Sequence, residues 1–393
     1  MSRRDRFDVL VVGAGIVGAA AALSLARQGL RVAIVEAHEP LSWQADMPDL
    51  KVYALAPDAQ ALLESLGLWQ SIASARAHPY RRMRVWDAAG GDELRFDADE
   101  LGRANLGHIV EHALLVERLW SALLREPGVE RFCPERVAGL EQDGQGVELN
   151  LQSANTLRAR FLLGADGAAS KVRELAGISV RENDYLQQGL VAYVQTELAH
   201  QDTAWQRFLP TGPLAFLPCA DGRSSIVWTL PDHQADRLLA LDEAAFCHEL
   251  TRAFDARLGE VLAVSQRKAF PLKRRLAEPM LQGRVALIGD AAHSVHPLAG
   301  QGVNLGLRDV AALKATIAQG EATGRGFDSV DRWQRWARSR SSENAVAARS
   351  FEAINGLFSN DAPLPTLLRG HLLGLAGKLP PLTRFLWQRA AGF

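Results

Sequence analysis

The chain has 393 residues, 48% hydrophobic and 23% charged, with a formal net charge of −1 at pH 7. That length suits two domains, and the near-neutral charge without a basic domain excludes a general attraction to nucleic acid. No charge-free apolar run of about 18 residues is present, so no membrane span is expected; Cys133, Cys219 and Cys247 form no CxxC, which argues against a disulfide framework or structural zinc and makes a reducing cytoplasm the default.

The N-terminus "MSRRDRFDVLVVGAG" opens basic and then turns apolar. The apolar run ends in glycines rather than a small-residue cleavage site, so it reads as a first strand and not as a signal peptide. Gly13, Gly15 and Gly18 follow Val9–Val12 at GxGxxG spacing. An Ala- and Leu-rich helix comes next, then a second apolar strand, Val32–Val35, that ends in Glu36. In such a unit the first glycine permits the tight turn, the second lets a pyrophosphate approach the backbone, and the third lets helix pack on strand. The helix N-terminus offers free N–H groups to phosphate, and an acid about 20 residues on can accept from a ribose. The pattern predicts a dinucleotide site without separating NAD from FAD.

Further along, 54–69 reads as a helix and 81–97 as a hairpin about a Gly-Gly turn. Residues 106–126 read as a strand followed by an amphipathic helix, and 146–167 as two strands with a third buried segment, Phe161–Gly164, leading to Asp166-Gly167. From 181 to 272 strand-like segments dominate. They include 190–198 and the hairpin 214–231 about Asp221-Gly222, with a helix over 242–259. Val285–Ile288 is again a buried strand, delivering Gly289-Asp290, and helical periodicity runs from Val303 to the end. Residues 363–393 have no acid but carry Arg369, Lys378, Arg384 and Arg389. They read as packed helices or as an apolar, basic surface for a membrane or an enzyme assembly.

Three motifs thus stand in order: the GxGxxG with Glu36, "GADGAASKVR" (164–173), and "GDAAHSVHPLAGQGVNLGLRD" (289–309). Together they resemble the single-component FAD-dependent aromatic hydroxylases, the group that includes para-hydroxybenzoate hydroxylase. "LGHIVEH", "QRFLPTGPLAFLP", "SIVWTLP" and "HPLAGQGVNLGLRD" are similar, within that group, to the ubiquinone-biosynthesis hydroxylases. The expected architecture is α/β. A Rossmann-like FAD-binding domain of the glutathione-reductase type (1–75, 105–180 and 275–340) is interleaved with a mainly antiparallel β-sheet substrate domain (76–104 and 181–274), followed by a helical C-terminus (341–393).

The resemblance implies that Gly13, Gly15, Gly18 and Glu36 hold the ADP part of FAD, with Asp166 and Gly167 near the pyrophosphate. It places Gly289-Asp290 at the ribityl chain, and Gly300, Gln301, Gly302 and Asn304 beside the isoalloxazine ring. Pro297, Gly302, Val303 and Asn304 form the flavin-ring environment through backbone groups, with no acid or base side chain assigned. Two departures stand out: Lys51 replaces the arginine of the family's D-x-R-x-x-A-L, keeping the charge but not the planar fork, and His112 stands where relatives usually carry Asn.

The implied activity is hydroxylation of a polyprenyl phenol or benzoquinol by way of a flavin C4a-hydroperoxide. FAD is the bound cofactor, and NAD(P)H and O₂ are co-substrates. The implied setting is cytoplasmic, or peripheral at the inner face of the membrane in contact with a ubiquinone-biosynthesis complex. No metal is expected: His293 and His296 could ligate one, but no third ligand is identifiable, and His293 reads as a loop-fixing residue. The alternatives are a hydroxylase of another aromatic compound, a flavin-binding subunit without catalysis, a halogenase, whose W-x-W-x-I-P is missing, and a plain NAD dehydrogenase, which the Gly-Asp motif disfavours.

Overall fold

The computed structural model describes residues 7–294, 301–324 and 326–358. His296, Pro297, Gly300 and the basic segment 363–393 lie outside the described residues.

An eight-stranded sheet is built on parallel strands in the order Val285–Leu287, Thr156–Gly164, Phe7–Val12, Val32–Val35 and Val129–Phe132. Val285–Leu287, Val32–Val35 and the inner halves of Phe7–Val12 and Thr156–Gly164 are short, apolar and buried, as parallel strands covered on both faces must be, whereas Val129–Phe132 at the sheet's edge exposes Glu130 and Arg131. Helix Ile16–Ala26 is buried along nearly its whole length, so it is apolar all round and not amphipathic. The segments Val137–Gln142 and Val147–Leu151 extend the sheet antiparallel from the outer half of Thr156–Gly164. That strand is continuous, so the third buried segment expected at Phe161–Gly164 is its inner half.

The second layer is a nine-stranded, mainly antiparallel sheet containing Arg82–Asp87, Leu94–Asp97 and the strands between Ser179 and Glu278. Helices Asp232–Ala240 and Glu243–Ala253 cover one face, enclosing Trp86, Leu214, Phe216, Ile226 and Phe254. The strand expected at 190–198 is longer, Ser179–Thr196, with an irregularity between Asp184 and Gln188. Its first half carries no apolar alternation because cross-strand ion pairs, Glu182–Arg275 and Asp184–Lys273, supply the pairing instead.

Residues 54–69 divide into the end of strand Val52–Leu55, helix Pro57–Ser65 and the start of helix Trp69–Arg76. Pro57 accounts for the break, since it fixes a first helical position. Helices Gln301–Ala322 and Val330–Phe358 close the parallel sheet. Trp333, Trp336, Ala337, Arg340 and Asn344 form the buried stripe of the second, and Trp333 stacks on Phe161 at 4.2 Å.

Candidate active site

Gly13, Glu36, Ala165-Asp166 and Ile288-Gly289-Asp290 each follow the carboxyl end of a parallel strand. Those strands are neighbours, so motifs more than 250 residues apart in sequence meet along one edge, where open α/β sheets bind ligands. The glycines differ in what they face. A Cβ on Gly18 would lie 2.0 Å from Gly13 O, and one on Gly13 2.5 Å from Ala165 O, whereas Gly15 has nothing within 4 Å. Gly13 and Gly18 therefore serve close packing, and Gly15 leaves the backbone open to a ligand. Gly15 also starts helix Ile16–Ala26, which no side chain caps. The half-buried Glu36 carboxylate accepts the Ala14 N–H at 2.6 Å and the His38 N–H at 3.1 Å, holding it over the same loop. An open glycine, an uncapped helix start and an acid at the next strand end fit a dinucleotide pyrophosphate and ribose.

The Asp166 carboxylate accepts from Ser170 Oγ (2.5 Å), Lys171 N (2.7 Å) and Val172 N (3.0 Å), so it caps helix Lys171–Leu175. That leaves the Gly167–Ala169 backbone along the cavity, with Gly167 at φ +81°. Arg173 donates to Ala291 O and Ala168 O, both at 2.9 Å, and locks this loop to the Gly-Asp loop. Gly289, at φ +58°, and Gly306 seat Val17: a Cβ on Gly306 would lie 2.5 Å from Val17 Cγ2.

His293 and Asp309 are both buried. His293 Nε2–H donates to Asp309 Oδ2 at 2.6 Å, and that oxygen also accepts the Gly289 N–H at 3.1 Å. Asp309 Oδ1 accepts from Arg340 Nε at 2.9 Å and Asn344 Nδ2 at 3.3 Å. Burial alone would raise the Asp309 pKa, but His293 and Arg340 hold it below the usual carboxylate value. His293 is thus tied to a carboxylate that orients Gly289, while the exposed Asp290 lines the cavity. The sequence reading assigned no role to Asp309, Arg340, Val17 or Gly306. The available signal was a carboxylate amid the apolar positions of "NLGLRDVAALKATI".

Gly302 and Val303 line the cavity in the first turn of helix Gln301–Ala322. The fully buried Asn304 side chain accepts the Ala56 N–H and donates to Ala54 O, both at 2.9 Å, clamping this helix to strand Val52–Leu55. Its carboxamide therefore serves the scaffold of the site.

Lys51, Tyr53 and His112 also line the cavity. Burial opposes the Lys51 charge, but Tyr53, Asp290 and Asp49 outweigh it and hold its pKa above the ordinary lysine value. Burial, followed by the Lys51 charge, pushes the His112 pKa down to about 4. Asp49 accepts the N–H groups of Lys51 and Ala113, both at 3.0 Å. Buried Glu111 accepts from Trp43 Nε1, Asp49 N and Arg76 Nη1 at 2.9–3.1 Å.

The cavity is about 1740 Å³ and continuous. It runs from the glycine loop, past Lys51, Asp290 and Val303, into an apolar chamber beneath the open face of the antiparallel sheet. Met83, Val85, Phe96, Phe208, Leu217 and Val227 are among the residues lining the chamber. Its polar lining includes Tyr80, whose phenol pKa burial pushes up to about 12. A charged channel opening into an apolar chamber suits a dinucleotide at one end and a lipophilic ring at the other.

Residues 6–342 match a family model described as FAD binding domain. The chain is 37% identical over 386 residues to 3-demethoxyubiquinol 3-hydroxylase of Escherichia coli (strain K12), covering 98% of each. It is 36% identical over 385 residues to ubiquinone hydroxylase UbiL of Rhodospirillum rubrum, covering 98% of this chain and 89% of that one. Among solved structures, p-nitrophenol 4-monooxygenase PnpA from Pseudomonas putida DLL-E4 superposes with a TM-score of 0.78 at 19% identity over 98% of both chains, a likeness of fold.

Proposed function

The chain belongs to the family of FAD-dependent monooxygenases that carry this FAD binding domain and include the ubiquinone hydroxylases, and from that premise we propose that it hydroxylates the aromatic ring of a polyprenyl phenol or benzoquinol on the way to ubiquinone. The supporting observation is the continuity of the cavity from the dinucleotide edge into an apolar chamber. Bound FAD, reduced by NAD(P)H, supplies the activation of O₂. The protein residues bind, orient and exclude water. In this reading Gly15 and the start of helix Ile16–Ala26 hold the pyrophosphate, Glu36 the ribose and Asp290 the ribityl chain. Lys51 supplies positive charge near the phosphates, and the backbone at Gly302 and Val303 presents N–H groups to the flavin ring. The apolar chamber keeps bulk water from the reacting centre.

Two measurements test this. Purified protein should show bound flavin absorbance, and a colourless protein that FAD cannot reconstitute overturns the reading. Deleting the gene should remove ubiquinone and accumulate one under-hydroxylated polyprenyl intermediate, whose identity names the ring position; unchanged ubiquinone leaves only another aromatic substrate or a non-catalytic flavin-binding subunit.

Among the described residues no helix is long and apolar enough to cross a membrane. We assign contact with the membrane or with partner enzymes to the basic, apolar segment 363–393. Liposome co-sedimentation of the full chain against a version lacking that segment tests it, and equal binding removes the assignment.

A further inference from the structure

Strand Thr203–Leu209 runs through the middle of the antiparallel sheet, between Gly212–Pro218 and Arg82–Asp87. Side chains alternate between faces along a strand. The Trp205 ring lies 6.2 Å from that of Trp86 in the cluster beneath the helices, and Arg207 donates to Ala253 O at 3.0 Å at the end of helix Glu243–Ala253. Ala204 and Phe208 belong to the opposite, chamber-side cluster. Gln206 therefore faces the chamber, which it lines.

Its register is informative. Across the sheet, Leu94 pairs with Val85, Val85 with Gln206, Gln206 with Ala215, Ala215 with Val227, and Val227 with Val191. From Leu94 to Val191, Gln206 is the single polar side chain among Leu, Val and Ala, and the next residue of the row, Lys268, is exposed at its far end. No described residue hydrogen-bonds its carboxamide, although the half-buried side chain sits amid apolar neighbours. The carboxamide opens onto the cavity, and once a lipophilic ring fills the chamber it is costly there unless something on that ring pairs with it.

We propose that Gln206 recognises the substrate, its carboxamide hydrogen-bonding a phenolic hydroxyl on the aromatic ring. This rests on the ring-hydroxylase reading above and adds a specificity determinant to it. A carboxamide both donates and accepts, and a hydroxyl answers both capacities. An ether only accepts, which leaves the Gln206 carbonyl unpaired in an apolar chamber, and a site built to hydrogen-bond a hydroxyl discriminates strongly against ligands that lack it. The same bond would fix the ring's rotation over the sheet face and so decide which carbon faces the flavin.

The test uses the flavin-loaded full chain with a phenol carrying a short prenyl chain and with its methyl ether, read by perturbation of the flavin absorbance. The wild type should bind the phenol at least about tenfold more tightly than the ether. Gln206→Met should bring the ratio close to one through loss on the phenol alone, with flavin content and melting temperature unchanged. A merely structural effect would weaken both ligands equally. Retention of the ratio in Gln206→Met overturns the proposal, and so does a wild-type ratio near one, which needs no variant to fold. Wild-type protein that holds flavin but binds neither probe counts against the ring-hydroxylase reading, and the inference falls with it.

Discussion

Tyr53 Oη lies 3.2 Å from His112 Nδ1, and Lys51 Nζ sits 5.5 Å from the centre of the Tyr53 ring. Lys51 and His112, read from the sequence as departures from the expected pattern, therefore share one cluster on the cavity wall. With the His112 pKa near 4 and that of Lys51 raised, the lysine carries the positive charge of the pair at neutral pH.

The depressed histidine makes stability depend on pH. The His112 pKa drops from 6.5 to about 4 on folding, and His108, chiefly through burial, shifts alike. The unfolded chain then binds more protons between these values, so this stability is present above about pH 6.5 and lost as pH falls towards 4. Each histidine contributes at most about 1.4 kcal/mol per pH unit across the window. Melting curves from pH 7.5 to 4.5 should show the decline, and His112→Asn should flatten it; an unaltered slope would remove His112 as its source.

Lys51→Met should weaken FAD retention about tenfold, the scale of one hydrogen bond to a charged group. Lys51→Arg should match or exceed the wild type, since the guanidinium restores the planar fork. Fluorescence titration of apoprotein with FAD reads both, and full affinity in Lys51→Met would take the residue out of the cofactor site.

The glycines of the fingerprint should separate by role. Gly15→Ala has open space around the added methyl and should fold normally while losing FAD affinity. Gly18→Ala places a methyl 2.0 Å from Gly13 O and should lower stability by several kcal/mol, on the scale of overpacking. Circular dichroism melts beside flavin content decide this, and equal melting temperatures for the two variants would refute the division.

Asp309→Asn should destabilise the protein by about 3 kcal/mol, because it leaves His293 without its carboxylate and the buried Arg340 with only the exposed Glu343 as counter-ion. It should also loosen the Gly-Asp loop through Gly289. Chemical denaturation measures the first effect and the FAD dissociation rate the second; wild-type stability would mean that the His293–Asp309–Arg340 network carries no net weight.

The cofactor was legible in the sequence because its requirements are local. A tight turn, an open backbone and a close helix crossing each demand glycine at a fixed offset, and a buried strand end demands apolar residues before the acid. Gly13, Gly15, Gly18, Glu36 and the Gly289-Asp290 pair could therefore be assigned from spacing and resemblance. The joining of strands Thr203–Leu209 and Arg82–Asp87 could not, because it couples residues more than 100 positions apart and no short pattern records that register. Likewise, the sequence does not reveal that Asn304 clamps Ala54 and Ala56, that Asp309 receives both His293 and Arg340, or that Gln206 lies between Val85 and Ala215 facing the chamber. Those are facts of long-range packing, where a polar side chain takes its role from whatever the fold brings against it.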